Sequence, residues 1–184
     1  LAFDAMSTHS RLGRQIAEII DAFRRLNVPF ALIGGLALAP HKVIRATQDV
    51  DLLTDAHSAE AINDELIRLG YRCLHRSADA GNYLRDDQRL DLLYASRPKA
   101  LDLLSTAGEY PTPFGTLRAV SAEGLIAFKL QALVNNPRRT QDLEDIRALI
   151  RNNRTALDID VVREYFKLFD RETLLAEILL DIDR

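Results

Sequence analysis

Between Phe30 and Leu53 the sequence places side chains whose types and spacing could handle phosphate and metal. An apolar run, Phe30-Ala-Leu-Ile33, ends in Gly34-Gly35; after a gap of thirteen residues, Asp49-Val50-Asp51-Leu52-Leu53 carries carboxylates at i and i+2. In a strand those positions share a face, so Asp49 and Asp51 project together. Side by side they repel unless a cation lies between them. Hard oxygen donors of this kind suit Mg²⁺, which is held through one or two carboxylates plus substrate phosphates. At Gly34-Gly35 a strand should hand over to a helix, where bare backbone N–H groups and the helix N-terminus can hold an anion. A phosphate cradle facing a metal-binding carboxylate pair is the layout of a site for nucleoside triphosphates. The plainer readings are a polar start to a strand and a turn that needs glycine.

A third carboxylate, Asp91, sits in the apolar stretch Leu90-Asp-Leu-Leu-Tyr94, where a charge needs a reason to be tolerated. If that strand lies beside the one at Val50 to Thr54, Asp91 comes close to Asp49 and Asp51; otherwise it is an edge residue. Lys129 stands mid-helix among apolar neighbours, either as a working cation or as a lysine that snorkels from a half-buried helix. Asp142 and Asp145 fall near the start of a helix, where acids also favour the helix dipole.

The elements that must position these residues follow from periodicity and punctuation. A first helix should start at Ser7 or Thr8 and run to Leu26, with Leu12, Ile16, Ile19, Ile20, Phe23 and Leu26 at helical spacing. Phe30 to Ile33 reads as a central strand, Leu36 to Val43 as a short irregular helix around Pro40, and Val50 to Thr54 as the second strand. Ser58 reads as the cap of a helix over 59–69 ended by Gly70. Strands follow at 71–75, 81–85 and 90–94, then a short helix at 99–104. The stretch Thr112 to Val120 offers a turn and one further strand. From Ser121 only helices remain: 122–135 capped by Ser121, a second capped by Thr140 through Asn152, then 159–169 and 171–180. This segregation predicts α+β, a mixed β-sheet flanked by helices (residues 1–120) with a C-terminal helical subdomain (121–184).

The complete string, Gly34-Gly35, then Arg45 and Thr47 ahead of Asp49-Val50-Asp51, resembles the signature of the DNA polymerase β-like nucleotidyltransferase superfamily. The variant Gly-Gly … Arg-x-Thr-x-Asp-hydrophobic-Asp-Leu looks like the group that contains the AbiEii-type toxins; aminoglycoside and lincosamide nucleotidyltransferases share the core motif. The resemblance spans residues 12 to 150. It implies that Asp49, Asp51 and Asp91 hold two Mg²⁺ ions (Mn²⁺ as a substitute), with Asp91 also helping to deprotonate the attacking hydroxyl. It implies that Arg45 and Thr47 shape the loop and contact phosphate, against the reading of solvated loop residues. A lysine in the setting of Lys129 reaches the nucleotide phosphates in toxin-like relatives. The stretch Arg138-Arg139-Thr140-Gln141-Asp142-Leu143-Glu144-Asp145-Ile146 looks like that group's Arg-x-x-Lys-Asp-x-x-Asp-Ile, with Gln141 where a lysine is usual. We place Asp142 in the nucleotide-binding set.

Composition bounds the rest. The chain has 184 residues, 47% apolar and 28% charged, an ordinary globular mixture with room for a real core. A net charge of −3 speaks against a broad nucleic-acid surface, leaving local basic clusters: Arg138 and Arg139 with Arg118 and Lys129, and Lys42 with Arg45. No apolar run is long enough to span a bilayer, and no signal peptide is visible. Leu1 to Ala5 read as residues left over from cloning, with the natural chain starting at Met6. A single cysteine, Cys73, excludes an intrachain disulfide and fits a reducing cytoplasm. His41 and His57 flank the motif but lack zinc spacing.

The expected activity is transfer of a nucleoside monophosphate from an NTP to a hydroxyl acceptor with release of pyrophosphate. The acceptor could be a tRNA 3′ end, a protein or a small molecule such as an aminoglycoside or lincosamide. A toxin would also have a neutralising antitoxin as partner. From another class comes a module that keeps the fold, has lost catalysis and binds a nucleotide or partner.

Overall fold

The computed structural model describes residues 9–182; the expectations for Leu1 to Ala5 and Met6 lie outside them. Helix α1 (Arg11–Arg25) begins where the Ser10 hydroxyl accepts the Gly13 N–H at 2.9 Å. Ser10 is therefore its cap, in place of Ser7 or Thr8, which are not among the described residues. Ile16, Ile19, Ile20 and Phe23 form its buried stripe.

Seven strands make one mixed sheet in the order β3-β4-β5-β2-β1-β7-β6. They are β1 (Phe30–Leu32), β2 (Val50–Asp55), β3 (Arg72–Arg76), β4 (Ala80–Arg85), β5 (Gln88–Ala95), β6 (Gly108–Thr112) and β7 (Gly115–Ala119). β1 pairs antiparallel with β2, and β2 pairs in parallel with β5 over six residues. A 3₁₀ turn, Leu36–His41, follows β1; helix α2 (Ala59–Arg68) follows β2 and ends at Gly70, φ +87°. Helix α3 (Pro98–Ser105) links β5 to the β6–β7 hairpin.

Three local expectations change. Ser58 does not cap α2: it is itself helical, and its N–H and hydroxyl both go to Asp55, at 3.0 and 2.8 Å. Strand β6 has no forecast in the sequence because Pro111 interrupts its pattern. Proline is tolerated there because β6 is the outermost strand and needs no second partner. Thr140 is the first residue of its helix rather than its cap.

The last third is helical: α4 (Ala122–Asn135), α5 (Thr140–Asn152), α6 (Ile159–Leu168) and α7 (Glu172–Ile182). Ser121 caps α4 by accepting the Gly124 N–H at 3.1 Å. One apolar core runs from Ile16 of α1 through the sheet to Leu125, Ile146, Phe166 and Ile178 of these helices, so they are packed on the sheet. Among the described residues no helix is long and apolar enough to cross a membrane.

Candidate active site

The site begins with a backbone constraint. Beyond β1 the Ile33 N–H still donates to the Asp51 carbonyl at 3.1 Å, which holds the chain against β2. Gly34 then turns away at φ +61°, and a Cβ there would lie 2.1 Å from Asp51 Oδ2. Only glycine can take that backbone angle cheaply and leave room for the carboxylate. A Cβ on Gly35 would meet Thr47 Oγ1 at 2.7 Å and Arg45 Nη2 at 2.9 Å. The two glycines are thus a floor onto which Asp51, Arg45 and Thr47 fold. The Gly35 N–H favours the ionised form of the nearby Asp51 carboxyl.

Parallel pairing of β2 with β5 sets Asp51 directly beside Asp91, and both line the same cleft as Asp49. Desolvation, then the charges of Asp91 and Asp49, push the Asp51 carboxyl from 3.8 up to about 6; the Gly35 N–H and the Lys129 ammonium pull it the other way. Asn82 of β4, opposite Asp91 across the ladder, donates to Asp91 Oδ1 at 2.7 Å. Among the described residues no three His, Cys, Asp or Glu side chains close around one metal position. The donor set still suits a hard cation. Two neighbouring carboxylates are what Mg²⁺ takes from a protein when substrate phosphates complete its shell.

The opposite wall comes from α4 and α5. Lys129 is buried, not snorkelling, at 5% exposure. Its ammonium donates to Asp142 Oδ1 at 3.1 Å and Asp145 Oδ2 at 2.6 Å. Asp142 also accepts from Arg139, and Asp145 from Gln141 Nε2 at 3.2 Å. Arg45 Nε lies 3.5 Å from Asp145 Oδ1, so the loop that carries Thr47 and Asp49 is drawn towards α5. Both oxygens of Asp142 are engaged by cations, which makes it a holder of Lys129 and Arg139. Leu125, Phe128 and Ala132, on the same side of α4 as Lys129, add an apolar strip.

One cleft of about 750 Å³ unites these parts, a size suited to a nucleotide-scale ligand. Gly34, Gly35, Arg45, Thr47, Asp49 and Asp51 line it, together with Asp91, Lys129 and Asp142. His41 and His57 do not: His41 is buried against the Val120 carbonyl at 2.8 Å, and His57 is exposed at the far end of β2. Nor does Arg118, whose guanidinium goes to the carbonyls of Leu104, Ser105 and Ala107. Asn82 and Arg89 also line the cleft. Sequence reasoning missed both, although the i, i+2 spacing of Arg89 and Asp91 was a usable signal.

Comparison with known proteins fits this geometry. Residues 15–85 match the family model for Aminoglycoside-2''-adenylyltransferase. Among solved structures, the antibiotic-resistance factor ANT(2'')-Ia superposes with a TM-score of 0.68 at 19% identity, covering 89% of this chain and 94% of that one. The same protein in complex with adenylyl-2''-tobramycin gives 0.63 at 19% identity, over 85% and 95%. The lincosamide antibiotic adenylyltransferase LnuA, lincomycin-bound, gives 0.56 at 17% identity, over 74% and 94%. No curated protein matches the sequence significantly. The fold is the one these adenylyltransferase structures share, and residues 15–85, which carry Gly34, Gly35, Asp49 and Asp51, also match the family in sequence.

Proposed function

We propose that the chain moves a nucleoside monophosphate from an NTP onto an acceptor hydroxyl and releases pyrophosphate. The observation that carries this reading is the in-register pair Asp51 and Asp91, set on a glycine floor in a cleft of nucleotide size. In the transfer the acceptor oxygen forms a bond to the α-phosphorus while the bond from that phosphorus to the oxygen bridging to the β-phosphorus breaks. Pyrophosphate leaves with that electron pair, and the hydroxyl proton passes to a carboxylate or water.

Asp51 and Asp91 would hold Mg²⁺, with Asp49 beside them. Held there, such an ion would neutralise charge at the phosphates and lower the pKa of the attacking hydroxyl. Asp91, fixed on one oxygen by Asn82, keeps its other oxygen for the ion or the acceptor proton. Arg45, Lys129 and Arg139 give the triphosphate side positive potential in a partly dry cleft, where fixed charges act strongly. Asp142 and Asp145 set where two of those cations stand. Phe128, half-buried next to Lys129, offers a flat apolar surface for the base.

ANT(2'')-Ia and LnuA point to a small-molecule acceptor. The motif string around Arg45 and Thr47 points to a toxin-like enzyme with a tRNA acceptor, and that reading rests on the string alone. The deciding assay supplies each α-³²P-labelled NTP with Mg²⁺ and a panel of tRNA, aminoglycosides and lincosamides. Label moving to one acceptor, and failing to move with Asp51→Asn, is the expected result. Binding of NTP and Mg²⁺ with no transfer to any acceptor would favour the inactive, nucleotide-binding module instead.

A further inference from the structure

Beyond the carboxylates the sheet continues as an open, basic face. Asp91 on β5 lies opposite Asn82 on β4, and Asn82 opposite His75 on β3. One row along, Arg89 lies opposite Leu84, and Leu84 opposite Arg72. Residues directly opposite each other in an antiparallel ladder point to the same face. Two rows, Asp91–Asn82–His75 and Arg89–Leu84–Arg72, therefore lead from the cleft to the sheet edge. The reverse face is covered: Tyr83 is buried with its hydroxyl 3.2 Å from Asn63 of α2, and Arg85 pairs with Glu18 of α1 at 2.6 Å.

Charge on the open face is one-sided. Three nearby acids are engaged elsewhere, Asp87 with Arg11, Glu60 with Arg76 and Glu18 with Arg85, while Asp86 stands exposed in the β4–β5 turn. Arg72, His75 and Arg89 are exposed, and among the described residues none makes a side-chain hydrogen bond or ion pair. Strands lie about 4.8 Å apart, so the two arginines rise from backbone positions roughly 10 Å apart, room for more than one phosphate. In an otherwise acidic chain this patch is local, and it adjoins the catalytic carboxylates on the side away from Gly34 and Lys129.

From this geometry, and resting on the transfer reading above, we infer that the open face of β3–β4–β5 is the acceptor subsite, and that the acceptor is anionic. With the triphosphate on the β1 side of Asp51, an in-line acceptor must reach the α-phosphorus from the β4 side. Its hydroxyl then sits at Asp91 and its phosphate groups meet Arg89 and Arg72. The end of an RNA strand and a phosphorylated sugar share this chemistry. A polycationic aminoglycoside such as tobramycin, the acceptor moiety in the ANT(2'')-Ia complex, would face two unneutralised guanidiniums.

The test is binding by the full chain, with Mg²⁺ and a non-hydrolysable ATP analogue present. A fluorescein-labelled ten-nucleotide RNA is the probe, and ribose 5-phosphate and tobramycin are competitors. The wild type is expected to bind the RNA, and Arg72→Ala/Arg89→Ala to bind it at least tenfold more weakly. Each arginine lost should flatten the slope of log K against log salt by about 0.7. Arg151→Ala, an exposed arginine of α5, serves as the charge control, and matched melting curves exclude unfolding. Displacement by ribose 5-phosphate identifies a phosphosugar acceptor, and its failure with RNA still bound identifies a strand end. Equal RNA binding by wild type and double variant overturns the inference, as does a wild type that binds tobramycin but neither phosphate probe. Binding is read apart from transfer. RNA held through Arg72 and Arg89 with no label moved upholds this surface and counts against the transfer reading; label moved to tobramycin by the double variant does the reverse.

Discussion

Asp51 and Asp91 stand at the same level of two neighbouring parallel strands, so two carboxylates face each other across one strand spacing with Asp49 nearby. Burial first, and then the charges of Asp91 and Asp49, raise the Asp51 carboxyl to about 6, so its ionised form opposes folding. The fold accepts that penalty where the chemistry needs it.

Asp51→Asn should therefore abolish transfer and yet stabilise the metal-free chain. A carboxyl raised from 3.8 to about 6 bounds the gain at roughly 3 kcal/mol, and thermal melts in EDTA at pH 7.5 would show it. Mg²⁺ should raise the melting temperature of the wild type and leave that of the variant nearly unchanged. A variant less stable than wild type in EDTA would mean that Asp51 is a structural acceptor and not a strained ligand.

Gly34→Ala combines a left-handed backbone angle with a methyl 2.1 Å from Asp51 Oδ2. The first costs on the order of 1–3 kcal/mol, and the second must push the carboxylate out of line. We expect a lower urea midpoint and transfer reduced at least a hundredfold. Gly70→Ala, which shares the positive φ but has only a side-chain carbon of Arg85 at 3.6 Å, should lose stability without comparable loss of activity. Equal activity loss in both variants would remove the special role of the close approach.

The sequence showed these positions because their constraints are local. Carboxylates at i and i+2 in an apolar strand, and glycines where a strand must turn, leave their mark within a few residues. Asp91 needed one further assumption, that its strand adjoins β2, and the register supplies it. What stayed hidden depends on pairing across the sheet. Asn82 is ordinary in sequence and acquires meaning only opposite Asp91; β6 lacked a strand pattern because Pro111 is acceptable only at an edge. Lys129 was legible as an anomaly, but not as the partner of Asp142 and Asp145, since that depends on how α4 and α5 pack.

Acid should loosen the contact between α1 and α2 first. Glu65 accepts from Arg68 at 2.7 and 2.6 Å and from Arg25 at 2.8 Å, and these hydrogen bonds, that of Arg68 foremost, lower its carboxyl from 4.5 to about 2. A depressed folded-state value stabilises the fold at pH above 4.5, where the unfolded carboxyl is also ionised. That contribution fades as pH falls towards 2. Melting temperatures of wild type and Glu65→Gln should differ at pH 7 and converge near pH 2. A difference that persists at pH 2 would assign the effect to packing.

The cluster of Lys129, Asp142 and Asp145 makes the sharpest energetic prediction. All three are buried, so Lys129→Met leaves two carboxylates facing each other with only the partly exposed Arg45 and Arg139 nearby. Breaking a buried ion pair from one side costs about 3–5 kcal/mol, and urea unfolding should register a loss of that size. Lys129→Met/Asp142→Asn/Asp145→Asn removes the uncompensated charge as well and should recover most of the loss. Transfer separates structure from function. If Lys129 serves the triphosphate, the stable triple variant stays inactive, with weakened NTP binding. If it only joins α4 to α5, activity returns with stability.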